Sequence, residues 1–150
     1  MANLILKDAQ IVTDDWHFLG TDEPLPDVAQ SIVFPFTRWL DEHEQCLTHP
    51  GSKGVALANT DCVTQLVSDL DELHLICIDF PSATDGRGYS QARILRQRYG
   101  YKNELRAVGE VLVDQLFLLQ RCGFNAFAVQ TDQGVCHAAK YLNPFSSYYQ

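Results

Sequence analysis

From residue 54 onward the chain repeats one pattern four times: a short, almost continuously apolar run, a polar turn, and a segment of helical periodicity. The apolar runs are 54–59 (GVALAN), 73–80 (LHLICIDF), 104–109 (ELRAVG) and 125–130 (NAFAVQ); the helical segments lie near 61–70, 89–99, 110–122 and 133–142. A strand with no polar alternation is one covered on both faces. Strands that alternate with helices pair in parallel through crossover connections. Gly100 and Gly123 stand where two of the helices must stop, and glycine tolerates the left-handed turn that stops them. The pattern predicts an α/β fold with a four-stranded, mainly parallel sheet of successive βα units over 54–142. Right-handed crossovers allow two forms of such a sheet, open and doubly wound or half-barrel-like. The second would leave open edges and so predicts a homodimer.

Ahead of this core, residues 1–20 read as short apolar runs separated by Asp-containing turns, which suggests a small antiparallel β appendage. Residues 21–30, with Pro24 and Pro26 among acids, read as a loop. Pro35 suits the first turn of a helix over FTRWLDEHEQCL, because the N–H it lacks would be unpaired there anyway. Trp39, Leu40 and Leu47 would then face the core. At 150 residues the whole is one domain's worth of chain.

Composition narrows the classes of function. Residues 1–80 hold three basic against fourteen acidic side chains, and residues 81–150 hold eight against five. That dipolar distribution suits an acidic surface with a local basic patch and argues against nucleic-acid binding. The five cysteines are scattered with no C-x-x-C pair, so they read as buried thiols rather than disulfides or an iron–sulfur site. The histidines show no metal-ligand spacing, so no metal is expected. No flavin, nicotinamide or siroheme motif is present, so no cofactor is evident. The N-terminus lacks the pattern of a signal peptide and no apolar run approaches membrane-spanning length, which predicts a cytoplasmic protein with no membrane partner.

Parallel α/β sheets bind ligands beyond the carboxyl ends of their strands. The residues in those places are Asn59–61, Asp79 through Arg87, Gly109 with Glu110, and 130–132. The second set stands out, because FPSATDGRGYSQARILRQRYG runs from a buried strand through a glycine turn into an Arg-rich helix. Gly86, Arg87, Gly88, Tyr89 and Ser90 form a candidate anion site: the glycines permit close backbone approach and positive φ, the helix start offers unpaired N–H groups, and Arg87 offers a planar fork. The competing reading is a structural turn. Asp79 and Asp85 are the weak candidates for an acid/base carboxylate. Arg93 and Arg96 share a helix face with Tyr89 and could dock an acidic partner. Arg106, inside an apolar strand, needs a carboxylate, and Asp79 is its expected partner. Asp114 is expected to face solvent, and the aromatic tail PFSSYYQ to pack on the domain.

At these residues the chain resembles a bacterial family known as domain of unknown function 934. The resemblance rests on the series TDGRGYS…R…RYGY…ELRAVG…DQL…RCGF, with an early VFPFTRWL and a final SSYYQ. Where the family commonly has a Lys-Phe pair before TDGRGYS, this chain has Ser82 and Ala83, so the candidate anion site loses one positive charge. The resemblance implies an accessory protein of assimilatory sulfate and sulfite reduction, with sulfite reductase or another sulfate-assimilation enzyme as partner. It implies as an alternative a small oxidoreductase or other enzyme acting on an anionic sulfur-pathway substrate.

Overall fold

The computed structural model describes residues 4–82, 86–129 and 132–142. Among them, eight strands join in a single mixed sheet of order β2-β1-β8-β7-β6-β5-β4-β3. The strands are β1 (Leu4–Lys7), β2 (Gln10–Thr13), β3 (His17–Phe18), β4 (Ile32–Pro35), β5 (Lys53–Leu57), β6 (Leu75–Phe80), β7 (Glu104–Gly109) and β8 (Ala126–Phe127). Six of them, β3 to β8, are parallel and lie side by side in chain order, while β1 joins β8 antiparallel and β2 joins β1.

The expected four-stranded sheet is thus corrected to eight strands. Within residues 4–20 the expected antiparallel strands form, as the β1–β2 hairpin, but they extend one edge of the main sheet instead of standing apart, and β3 with β4 extends the other edge. The hairpin turns at Asp8 (φ 51°) and Ala9 (φ 64°), the two positive-φ residues of a tight two-residue loop. Pro35 ends β4 and stands just before the expected helix, which forms in two pieces, α1 (Phe36–Asp41) and α2 (His43–Leu47). The doubly wound alternative is also set aside. A parallel order without a reversal, connected by right-handed crossovers, puts every connecting segment on one face. The sheet therefore curls as half a barrel, with a helical side and an open side.

Alternation along the strands decides what each side receives. Ile32 and Phe34, Val55 and Leu57, Ile76, Ile78 and Phe80, and Leu105 and Ala107 face the helical side and are buried. There they meet Trp39 from α1 (Phe36–Asp41), Leu66 and Leu70 from a 3₁₀ segment (Val63–Glu72), Ala92 from α3 (Arg87–Arg93), and Leu116 and Leu119 from α4 (Leu116–Cys122). The expected helix over 61–70 is this 3₁₀ segment, and the one over 110–122 divides into a 3₁₀ turn (Val113–Gln115) and α4. α3 continues into a π-helical turn (Ile94–Arg98), where the Tyr99 N–H donates to Ile94 O at 3.1 Å. A last helix, α5 (Asp132–Leu142), buries Val135 and Ala138.

The open side is smaller and partly charged. Val33, Leu75 and Cys77 are buried there with Trp16, Ala56 and Val108 packed around them. Burial pushes the Cys77 thiol up to about 12 and, on the helical side, the Cys46 thiol up to about 11. Arg106 is 1% exposed and lies on this open side. Its expected partner Asp79 is not the one it takes. In register Arg106 faces Cys77, whereas Asp79 faces Val108 one pair further along. Arg106 Nε and Nη2 donate instead to Glu104 Oε2 at 2.9 and 2.7 Å, and Nη1 lies 3.2 Å from Asp14 Oδ2. Glu104 precedes Arg106 by two residues, so both side chains emerge on the same face. Lys7 completes the cluster at 3.3 Å from Glu104 Oε1. Burial pulls the guanidinium down, but its negative neighbours outweigh burial and the net shift is upward.

Candidate functional site

The carboxyl ends of β6 and β7 finish side by side, with Phe80 paired to Gly109. Gly109 adopts φ +87°, and a Cβ there would lie 2.5 Å from Phe80 O and 2.6 Å from Asp79 Oδ1. Only glycine satisfies both the conformation and the space. With the turn made, the Glu110 N–H donates to Phe80 O at 2.7 Å and the chain swings away from the sheet. The gap left behind is a cleft of about 680 Å³. Asp79 and Glu110 supply its carboxylates; Phe80, Pro81, Val111, Leu112, Val113 and Val129 supply its apolar walls. Asp79 is half-buried, and among the described residues its carboxylate has no hydrogen bond or ion pair. Of these walls Leu112 is exposed, as are Phe117 and Leu118 on α4.

The segment expected to cradle an anion is built otherwise. Gly86 is in the helical region at φ −74°, and neither it nor Gly88 takes a positive φ. Gly88 is required for a different reason: a Cβ would lie 2.6 Å from the Phe80 ring, so its absence lets α3 sit directly on the end of β6. Tyr89 packs edge-on against the same ring, and its hydroxyl donates to Gln115 Oε1 at 3.2 Å. Burial raises the Tyr89 hydroxyl above its ordinary value. Ser90 Oγ lies 3.5 Å from Gly86 O, which turns its hydroxyl toward its own helix. Arg87 is exposed and is not one of the residues lining the cleft. Asp85 lies outside the described residues.

Arg93 and Arg96 do not form one stripe. Arg93 is exposed, but Arg96 is half-buried and donates to Gly123 O at 2.8 Å, Tyr101 O at 2.7 Å, Asn103 O at 2.8 Å and Asn125 Oδ1 at 3.3 Å. Its guanidinium also lies 5.5 Å from the centre of the Tyr101 ring. Desolvation lowers it below the usual guanidinium value. Gly123, at φ +119°, would place a Cβ 2.3 Å from Arg96 Cγ, so the helix-ending glycine also makes room for this side chain. Arg96 ties the π-turn to the loops that enter β7 and β8.

Two residues escaped the sequence reading. Gln91 Nε2 donates to Ala58 O at 3.0 Å and Asp61 O at 2.6 Å, which clamps the loop after β5 to α3. Its position one turn after Arg87 was the available signal, and apolar patterning hid it. Cys62, in that same loop, is exposed, as is Cys136, against the expectation of five buried thiols. Hydrogen bonds from the Thr64 side chain and backbone hold the Cys62 thiol below its ordinary value. Asp114 is exposed, as expected. Among the described residues no group of three or more His, Cys, Asp or Glu could hold a metal, and no helix is long and apolar enough to cross a membrane.

A family model described as a bacterial protein of unknown function (DUF934) matches residues 54–150, the span that begins at β5 and includes the cleft. No curated protein matches the chain.

Proposed function

The chain belongs to the DUF934 family of bacterial proteins, and from that premise we propose that it is an accessory protein of assimilatory sulfite reduction that docks on a sulfite-reducing enzyme. The observation that carries the docking reading is the strand-end face. There an open cleft is lined in part by Leu112, which is 45% exposed; Leu118, on the helix that follows, is 46% exposed. A large apolar side chain left exposed at the rim of a recess is a mark of a protein interface. The sulfite-reduction assignment comes from the family resemblance and supplies the partner to be tried.

Two experiments test it. Deleting the gene should abolish growth on sulfate or sulfite as sole sulfur source while leaving growth on sulfide or cysteine intact. Equal growth on all four sources would sink the pathway assignment. Purified protein should also co-elute with sulfite reductase, and Leu112→Asp with Leu118→Asp should abolish that co-elution without changing the melting temperature. Retained co-elution would remove this face from the interaction.

A second reading, a small enzyme acting on an anionic sulfur substrate, is favoured by the Asp79 carboxylate at a strand end, which has no partner among the described residues. It requires Arg87 to hold the substrate within reach of Asp79. Turnover by the purified protein alone, lost in Arg87→Ala, would establish it. No turnover with sulfite and a reduced electron donor would leave the docking reading.

A further inference from the structure

Resting on the docking reading, we propose that the strand-end cleft receives one basic side chain of the partner protein, a lysine or arginine, with its head group on Asp79. Three features of the recess select this occupant. First, its described lining carries two carboxylates, Asp79 and Glu110, and no lysine, arginine or histidine. A sulfite or sulfate ion would meet like charge there, whereas a cation meets its complement. Second, Asp79 is held half-buried on a central strand, and its carboxylate has no hydrogen bond or ion pair among the described residues. An incoming guanidinium or ammonium would supply the charged donors it lacks.

Third, the walls are apolar. Phe80, Pro81, Val111, Val113 and Val129 offer a surface suited to the aliphatic stem of Lys or Arg, whose head stays polar while its methylenes are buried. Gly109 shapes the recess from beneath, because any side chain there would fill the space beside Asp79 Oδ1. The occupant is a side chain rather than a free amine because the apolar wall runs out to the surface at Leu112, which is 45% exposed. A small diamine would leave that surface uncovered.

The test is an amide chemical-shift titration of the full-length protein with Nα-acetyl-arginine amide and Nα-acetyl-lysine amide, using Nα-acetyl-norleucine amide as the uncharged control. Saturable shifts are expected at Asp79, Phe80, Gly109, Glu110 and Val129. The basic amides should bind about tenfold more tightly than norleucine amide, and Asp79→Asn should remove that preference. Equal binding of all three amides, or an unchanged preference in Asp79→Asn, would overturn the proposal. So would putrescine shifting these amides where the acetylated amino acids do not, or sulfite shifting them instead. Glu110→Gln serves as the second variant if Asp79→Asn does not fold, and it should weaken the same preference. The titration uses no sulfite reductase. Arginine-amide binding with no co-elution would therefore remove the docking partner alone, and co-elution with no arginine-amide binding would remove the cleft assignment alone.

Discussion

Arg93 and Arg96 sit three residues apart on the same helical segment and carry the same chemistry, yet the same substitution should be costly at Arg96 and nearly neutral at Arg93. Arg96→Met keeps an aliphatic stem against Gly123 but withdraws a charged donor from Gly123 O, Tyr101 O, Asn103 O and Asn125 Oδ1. A hydrogen bond to a charged group contributes about 1.5–3 kcal/mol. Four made by one guanidinium do not add, and at a half-buried site water reclaims part of the loss, so the net cost is about 2–4 kcal/mol. For a domain of this size each kcal/mol lowers the melting temperature by about 3 °C, which gives a drop of about 6–12 °C. Arg93→Met removes an exposed side chain with no described partner and should stay within about 0.5 kcal/mol of the parent. Urea unfolding followed by circular dichroism at neutral pH, with thermal melts in parallel, measures both. If Arg96→Met unfolds within about 0.5 kcal/mol of the parent, solvent replaces the guanidinium without cost and its structural role is refuted. Equal losses in both variants would refute it as well.

The remaining predictions concern the buried charges, the glycine under the cleft, and alkaline pH. Arg106→Met leaves Glu104 buried with only Lys7 beside it and should cost about 3–5 kcal/mol in urea unfolding. Adding Glu104→Leu should recover most of that loss, and a double variant no more stable than the single one would contradict the reasoning. Gly109→Ala forces a Cβ into Phe80 O and Asp79 Oδ1 at φ +87°, so it should cost at least about 2 kcal/mol and move the amide resonances that line the cleft. A melting temperature equal to the parent's would show that the turn relaxes freely. Cys46 and Cys77 have folded pKa values raised above the ordinary thiol value of about 8.5. Their contribution to stability is therefore complete below that pH and is lost as pH rises toward about 11 for Cys46 and about 12 for Cys77. Above pH 9 the stability should fall by up to about 1.4 kcal/mol per pH unit for each thiol. Replacing both thiols with alanine should flatten that slope, and a slope unchanged by the replacement would assign the loss elsewhere.

Much of the candidate site was legible in the chain. The apolar run ending in Asp79 and Phe80, the glycine that closes 104–109, and the rule that parallel sheets bind at their carboxyl ends together place a site where the cleft lies. The residues that fill the roles were harder to read. Gly86 and Gly88 offered either an anion-cradling or a merely structural turn, and Gly88 is set by the approach of the Phe80 ring, which comes from another element. Arg96 looked like half of a surface stripe because helical spacing assumes 3.6 residues per turn. The π-turn at Ile94–Arg98 and the inward loops at Tyr101, Asn103 and Gly123 turn it inward.

The amino-acid sequence by itself determined the βα alternation, the burial of 73–80 and 104–109, and the helix stop at Gly123, because each rests on local periodicity or on a backbone conformation only glycine adopts freely. The tertiary structure alone decided the number of strands and where residues 4–35 attach. Strands of two to four residues carry too little pattern to announce themselves, and they form only where a longer strand offers an unpaired edge. It also decided that Arg106 takes Glu104 and Asp14 rather than Asp79. That choice follows from register, and register is a relation between strands that no single strand encodes.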